Sequence, residues 1–224
     1  MRQIEEELKT LNETLQEMGS LVAQSIHRSV LSLVEKNEDY AHQVLRDEAR
    51  INQLEMQIDD LATTLIARES PVAGDMRFVV VAIKINTDLE RMGDMAVGIV
   101  ERSLAAMRQP ELPLEVGFTQ IGNLVESMVL TSLDAFVKRD AQLARTVLTA
   151  DDAVDKLRNT MTRQMVEIMK TDAALVERAL DYILIARRLE RIADHATNVA
   201  EDVIFMVKGV DVRHRASVFM ISTI

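Results

Sequence analysis

At 224 residues the chain can form one large domain or two of about 110 residues, and its lack of cysteine excludes disulfides, thiolate metal sites and cysteine nucleophiles. Aromatics at 3%, only 3 Pro and 7 Gly, and 13 Met favour helices packed through aliphatic and Met side chains over a β-sandwich or barrel. A formal charge of −10 argues against a nucleic-acid partner, which needs clustered Lys and Arg, and suits metal cations or basic protein surfaces.

The opening stretch "MRQIEEELKT" lacks the apolar core of a signal peptide. An apolar stripe then runs Ile4, Leu8, Leu11, Leu15, Met18, Val22 and on through Ile26, Val30 and Leu33, one face of a long helix. The polar "EKNEDY" can turn, and a second stripe, Ile51, Leu54, Ile58, Leu61 and Leu65, marks a second helix with charge on its other side. At "ESPVAGD", residues 69–75, Ser70 is placed to cap and Pro71 to occupy the first position of a third helix over 72–107. The longest apolar run, "FVVVAI" at 78–83, falls far short of the ~20 residues of a membrane span. The expectation is a soluble cytoplasmic protein with no membrane insertion.

"RQPELPLEVG" at 108–117 holds two of the three prolines and reads as a linker between halves, 1–109 and 110–224. Beyond it the pattern starts again. Residues 18–45 align without gaps to 121–148, with Gly19, Leu21, Val22, Ser29, Val34, Ala41, Val44 and Leu45 matched identically at an offset of 103. Ile51-x-x-Leu54 continues as Val154-x-x-Leu157. In the third helix the offset is 100, and Ile83, Ile85, Leu89, Glu90, Arg91, Asp94, Ala96 and Glu101 all recur. The second copy is therefore three residues shorter, most naturally near "KTDAA". The fold class is all-α: six helices forming two tandem three-helix, up-down bundles related by internal duplication.

Duplication picks out acidic positions. Glu90 and Asp94 recur as Glu190 and Asp194, and the second helices carry Glu48-x-x-x-Asn52 and Asp151-x-x-x-Asp155. Like charges at i, i+4 repel on a helix face, so a cation or nearby basic side chains should offset them. Glu55 and Asp59 extend the stripe in the first repeat; His195, Asn198, Glu201 and Asp202 extend it in the second. Since His195, Asn198 and Asp202 replace Met95, Gly98 and Arg102, the second set is expected to be the better cation site. Oxygen ligands with at most one His suit hard ions such as magnesium, calcium, manganese or ferric iron, and zinc less well. The alternative is an ordinary solvated face with salt bridges, supplied by Arg91, Arg191, Lys84 and Arg187. His27, His42 and His214 have no partner in the other repeat and read as surface residues; Met92, Met95, Met161, Met165 and Met169 read as core.

Catalytic patterns fail on spacing. No Glu-x-x-His pair, His-Glu-x-x-His, Gly-rich phosphate loop or Gly-x-Ser-x-Gly is present. A metal-dependent phosphohydrolase built on the carboxylates remains the enzymatic alternative, and a metal-free adaptor with acidic faces the structural one.

"ARESPVAGDMRFVVVAIKINTDLERMGDMA" and "ARRLERIADHATNVAEDV", set within a duplicated three-helix repeat, closely resemble the PhoU family of bacterial phosphate-transport accessory and regulatory proteins, over nearly the whole chain to about Gly209. The resemblance implies two pseudo-twofold-related bundles, homodimers, and Glu/Asp-x-x-x-Asp motifs that in some members hold iron, zinc or other metals. Those motifs fall on Glu48/Asn52, Glu90/Asp94, Asp151/Asp155 and Glu190/Asp194, with Asn52 departing from the acidic pattern. It also implies a non-enzymatic negative regulator that links the ATPase of a phosphate ABC transporter to a sensor histidine kinase. The tail "VDVRHRASVFMISTI" follows Gly209, read as a helix C-cap, and has no counterpart in the first repeat.

Overall fold

The computed structural model of the chain describes residues 2–210 and 212. Its described residues form six α-helices and no strand: α1 (Arg2–Val34), α2 (Glu38–Glu69), α3 (Ala73–Met107), α4 (Phe118–Lys138), α5 (Ala141–Thr171) and α6 (Val176–Lys208), with a 3-10 turn, Ala173–Leu175, leading into α6. α1, α2 and α3 pack mutually as one bundle; α4, α5 and α6 form the second. No helix among the described residues is long and apolar enough to cross a membrane. His214 and the tail beyond Val212 lie outside the described residues.

Local chemistry repeats as the alignment predicts. Asn37 caps α2 by accepting from the Asp39 amide, and Asp140 caps α5 by accepting from the amides of Gln142 and Leu143. These residues are matched at the offset of 103, and each follows a left-handed residue, Lys36 at φ 51° and Arg139 at φ 53°. The same turn therefore joins the first two helices of both bundles.

The connection between α2 and α3 differs from expectation. Ser70 does not cap α3; it closes α2 in a left-handed conformation at φ 47°. Pro71 bars the residue before it from the right-handed helical region, so α2 stops there and α3 begins only at Ala73, preceded by Val72. Ser70, Pro71 and Val72 are the three residues with no counterpart in the second repeat, where Asp172 alone separates α5 from the 3-10 turn. Asp172 caps that turn by accepting from the Ala174 amide. Gly209 ends α6 at φ 66°, and its amide donates to the Phe205 carbonyl, which is the C-cap role read from the sequence.

The bundles share one core. α3 packs on α6 and α1 on α4, and a continuous set of buried side chains, from Leu11 and Leu15 through Ile51, Leu89 and Phe136 to Leu189 and Val203, runs through all six helices. Met92, Met95, Met161 and Met165 are buried in it or in the smaller cluster beside it, as core filler. Phe78 of the first repeat stacks on Phe136 of the second, centroids 5.0 Å apart. The α1–α4 contact is pseudo-twofold: Gly19 faces Leu133 and its match Gly122 faces Val30, itself the match of Leu133. The absent Cβ atoms let these helices approach closely. Among the described residues, Lys84–Asp202 at 2.7 Å and Arg102–Asp181 at 2.9 Å pair charges between α3 and α6, and His195 Nδ1 lies in hydrogen-bond contact with Asp88 at 2.7 Å.

Candidate functional site

In the second repeat, one turn of α5 carries Asp151 and Asp155, and one turn of α6 carries Glu190 and Asp194. Helical i, i+4 spacing puts each pair on a single face, and the packing of α5 on α6 brings the two faces together. Electrostatics report the convergence. Burial, then the charges of Asp194, Asp155, Asp152 and Glu190, push the Asp151 carboxyl up to about 6. The Asp194 carboxyl is raised by burial and then by Glu190 and Asp155, against a smaller opposing pull from His195 and Arg191. All four sequence-predicted carboxylates of this repeat thus form one mutually repelling group.

That group holds a cation of its own. Arg158, one turn beyond Asp155 on α5, donates from Nη2 to Glu190 at 2.8 Å and to Asp155 at 3.2 Å. Reading the sequence for acidic residues alone missed it, although the offset of 103 maps Arg158 onto Glu55 and so exposes a reversal of charge.

The first repeat has no such arginine. Glu90 is raised by burial first, then by the charges of Asp94 and Glu55 and by a hydrogen bond with Asp94, with Arg91 acting weakly the other way. Here α2 brings Glu55 toward Glu90, two turns from half-buried Glu48 and one turn from exposed Asn52 along the same face. Asp59 is held separately, accepting from Nδ2 of buried Asn86 at 3.0 Å.

The remaining predicted residues divide. His195 turns toward the other repeat, where its Nδ1 lies 2.7 Å from Asp88 Oδ1, both side chains 12% exposed. Asp202 likewise faces Lys84 on α3. Asn198 is exposed, and Glu201 lines a cleft with Asp151, Arg145, Thr149, Thr197 and Ile204. His27 lies 2.9 Å from Glu126 across the α1–α4 seam, and His42 is exposed.

As placed, no three His, Cys, Asp or Glu side chains among the described residues stand together in a metal-holding arrangement. The donor chemistry nonetheless fits a hard cation. Carboxylates raised first by burial and then by mutual repulsion on neighbouring helices would be relieved by a divalent charge. In the second repeat, the set expected from the sequence to be the better cation site, Arg158 already neutralises part of the group.

One family model matches both repeats, and solved structures share the fold. The PhoU domain model matches twice, at residues 15–103 and 118–203. The chain is 38% identical over 214 residues to the phosphate-specific transport system accessory protein PhoU homolog of Pseudomonas putida, covering 95% of this chain and 84% of that protein. It is 31% identical over 212 residues to the phosphate-specific transport system accessory protein PhoU of Escherichia coli, covering 95% and 88%. The crystal structure of PhoU from Pseudomonas aeruginosa superposes with a TM-score of 0.88 at 37% identity, over 92% of this chain and 99% of that one. The phosphate transport system regulatory protein PhoU from Streptococcus pneumoniae gives a TM-score of 0.86 at 27% identity, over 93% and 98%. With a two-fold domain match, full-length relatives and a shared six-helix architecture, the chain belongs to the PhoU family.

Proposed function

We propose that the chain is a cytoplasmic, non-enzymatic regulator of phosphate uptake, which links the ATPase of a phosphate ABC transporter to a sensor histidine kinase and acts as a homodimer. The observation that carries the reading is the likeness, over 95% of the chain, to proteins named as accessory to phosphate-specific transport. Divalent or ferric cations on the carboxylates of Glu48, Glu55, Glu90 and Asp94, and more weakly on those of Asp151, Asp155, Glu190 and Asp194, neutralise acidic faces that would otherwise repel an acidic or lipid-proximal partner surface. The raised carboxyls of Glu90, Asp151 and Asp194 support the cation reading.

A pulldown of the transporter ATPase by the purified protein, with Mn²⁺ or with chelator, tests it: association should require the cation. Capture that survives chelator and weakens with salt supports instead a metal-free adaptor, a reading favoured by the ion pairs Arg158 already makes. Turnover of a model phosphate ester by the Mn²⁺-loaded protein would overturn the non-enzymatic assignment.

A further inference from the structure

On the seam between α3 and α6 lies a cleft of about 520 Å³, lined by Arg91, Arg188, Arg191, Asp94, Glu101 and His195. Arg91 and Arg191 are matched residues, one from each repeat. Elsewhere in this acidic chain arginines sit on carboxylates, as Arg28 does on Asp47, Arg50 on Glu17 and Arg102 on Asp181. The three arginines of the cleft make no hydrogen bond or ion pair among the described residues; Arg91 and Arg191 act on Glu90 and Asp194 only at a distance.

Arg188 occupies a place made for it. A Cβ on Gly98 would fall 2.1 Å from its Nη1 and 2.3 Å from its Cζ, so the guanidinium lies against α3 only because residue 98 is glycine. The counterpart of Arg188 in the first repeat is Asp88, which is held by His195. Duplication has thus diverged to opposite charges at one position, and the negative member is paired while the positive one is left facing the cleft.

We propose that this cleft, which shares Asp94 with the first-repeat carboxylates, binds a phosphate-class oxyanion, as free phosphate or as a phosphate monoester. Forked guanidinium donors match the oxygens of a tetrahedral oxyanion. The two carboxylates of the cleft select among such anions. Hydrogen phosphate and its monoesters in their monoanionic form carry an O–H that a carboxylate can accept; sulfate at neutral pH carries none and is repelled. With three guanidiniums against two carboxylates, and His195 committed to Asp88, the cleft is net positive on a chain of charge −10.

Calorimetric titration at low ionic strength and about pH 5.5, where phosphate monoesters are largely monoanionic, in chelator so that no metal carries the anion, tests the inference with inorganic phosphate, sulfate and AMP as probes. Phosphate or AMP should bind more tightly than sulfate, the tighter of the two identifying free anion or ester as the source. Arg188→Gln should weaken binding about tenfold. Gly98→Ala should do the same by displacing the guanidinium, while exposed Arg163→Gln should change nothing and circular dichroism should show all three variants folded. Glu101→Gln should narrow the preference over sulfate. No binding of any probe, sulfate bound as tightly as phosphate, or unchanged affinity in folded Arg188→Gln would each overturn the proposal.

Discussion

Arg158 of α5 reaches Glu190 of α6 through a charge-assisted hydrogen bond of 2.8 Å, and the residue that takes its place in the first repeat is Glu55. This difference between the repeats gives the second carboxylate cluster an internal counter-charge that the first lacks. Charge-reversed Arg158→Glu should make the second cluster resemble the first. Without metal this variant should lose about 1–3 kcal/mol of stability, since Glu190 loses its partner and gains a like charge. Added Mn²⁺ should then restore more stability to the variant than to the wild type, as read by thermal melts with and without the ion. Equal responses would show that Arg158 does not compete with cations.

The raised carboxyls set a pH dependence of definite sign. Asp151 moves on folding from an ordinary 3.8 to about 6, and Glu90 and Asp194 shift the same way. A carboxyl raised on folding favours the folded state while protonated; its contribution is complete below the ordinary value and is lost as pH rises through the folded one. In chelator, melting temperature should therefore fall between about pH 4 and pH 6. Asp151→Asn should flatten that fall and raise stability at pH 7 by on the order of 1 kcal/mol, a figure held low because the side chain is partly exposed and screened. A variant that kept the wild-type slope would remove Asp151 as its source.

The two seam glycines, though matched, should respond differently to the same change. Alanine gains about 1 kcal/mol of helix propensity at either. At Gly19 the new Cβ meets Leu133 Cδ1 at 2.4 Å, the far end of a side chain that can turn aside. At Gly122 it meets both Val30 methyls, at 2.8 and 3.0 Å, on a β-branched residue with one favoured helical rotamer. Gly19→Ala should stay within about 1 kcal/mol of wild type, and Gly122→Ala should lose about 1–2 kcal/mol. Urea denaturation of the pair measures the difference; the reverse order would mean that α1 shifts rather than Val30.

Much of the fold is legible in the sequence because duplication supplies an internal control. The helix faces, the 108–117 linker and the three-residue deficit are all visible in the aligned repeats. Ser70 misleads because a serine before proline reads as an N-cap, whereas the backbone places it in the left-handed conformation that closes α2. The site is legible only in part. Spacing places Asp151, Asp155, Glu190 and Asp194 on their faces, but how far each helix is turned about its axis decides what a face meets. Spacing alone does not show that His195 meets Asp88 and Asp202 meets Lys84, nor that Arg158 reaches Glu190.

Elemental analysis of the untreated protein, followed by calorimetric titration of Mn²⁺ into chelator-stripped samples, bears most directly on the carboxylate clusters. The wild type should retain metal on purification and rebind it after stripping. Glu90→Gln with Asp94→Asn should abolish the tighter binding phase, and Asp151→Asn with Glu190→Gln the weaker one. A wild type that carries no metal and gives no binding heat, or a first-repeat double variant that binds as the wild type does, would contradict the cation assignment and leave the acidic faces as surfaces for a basic partner.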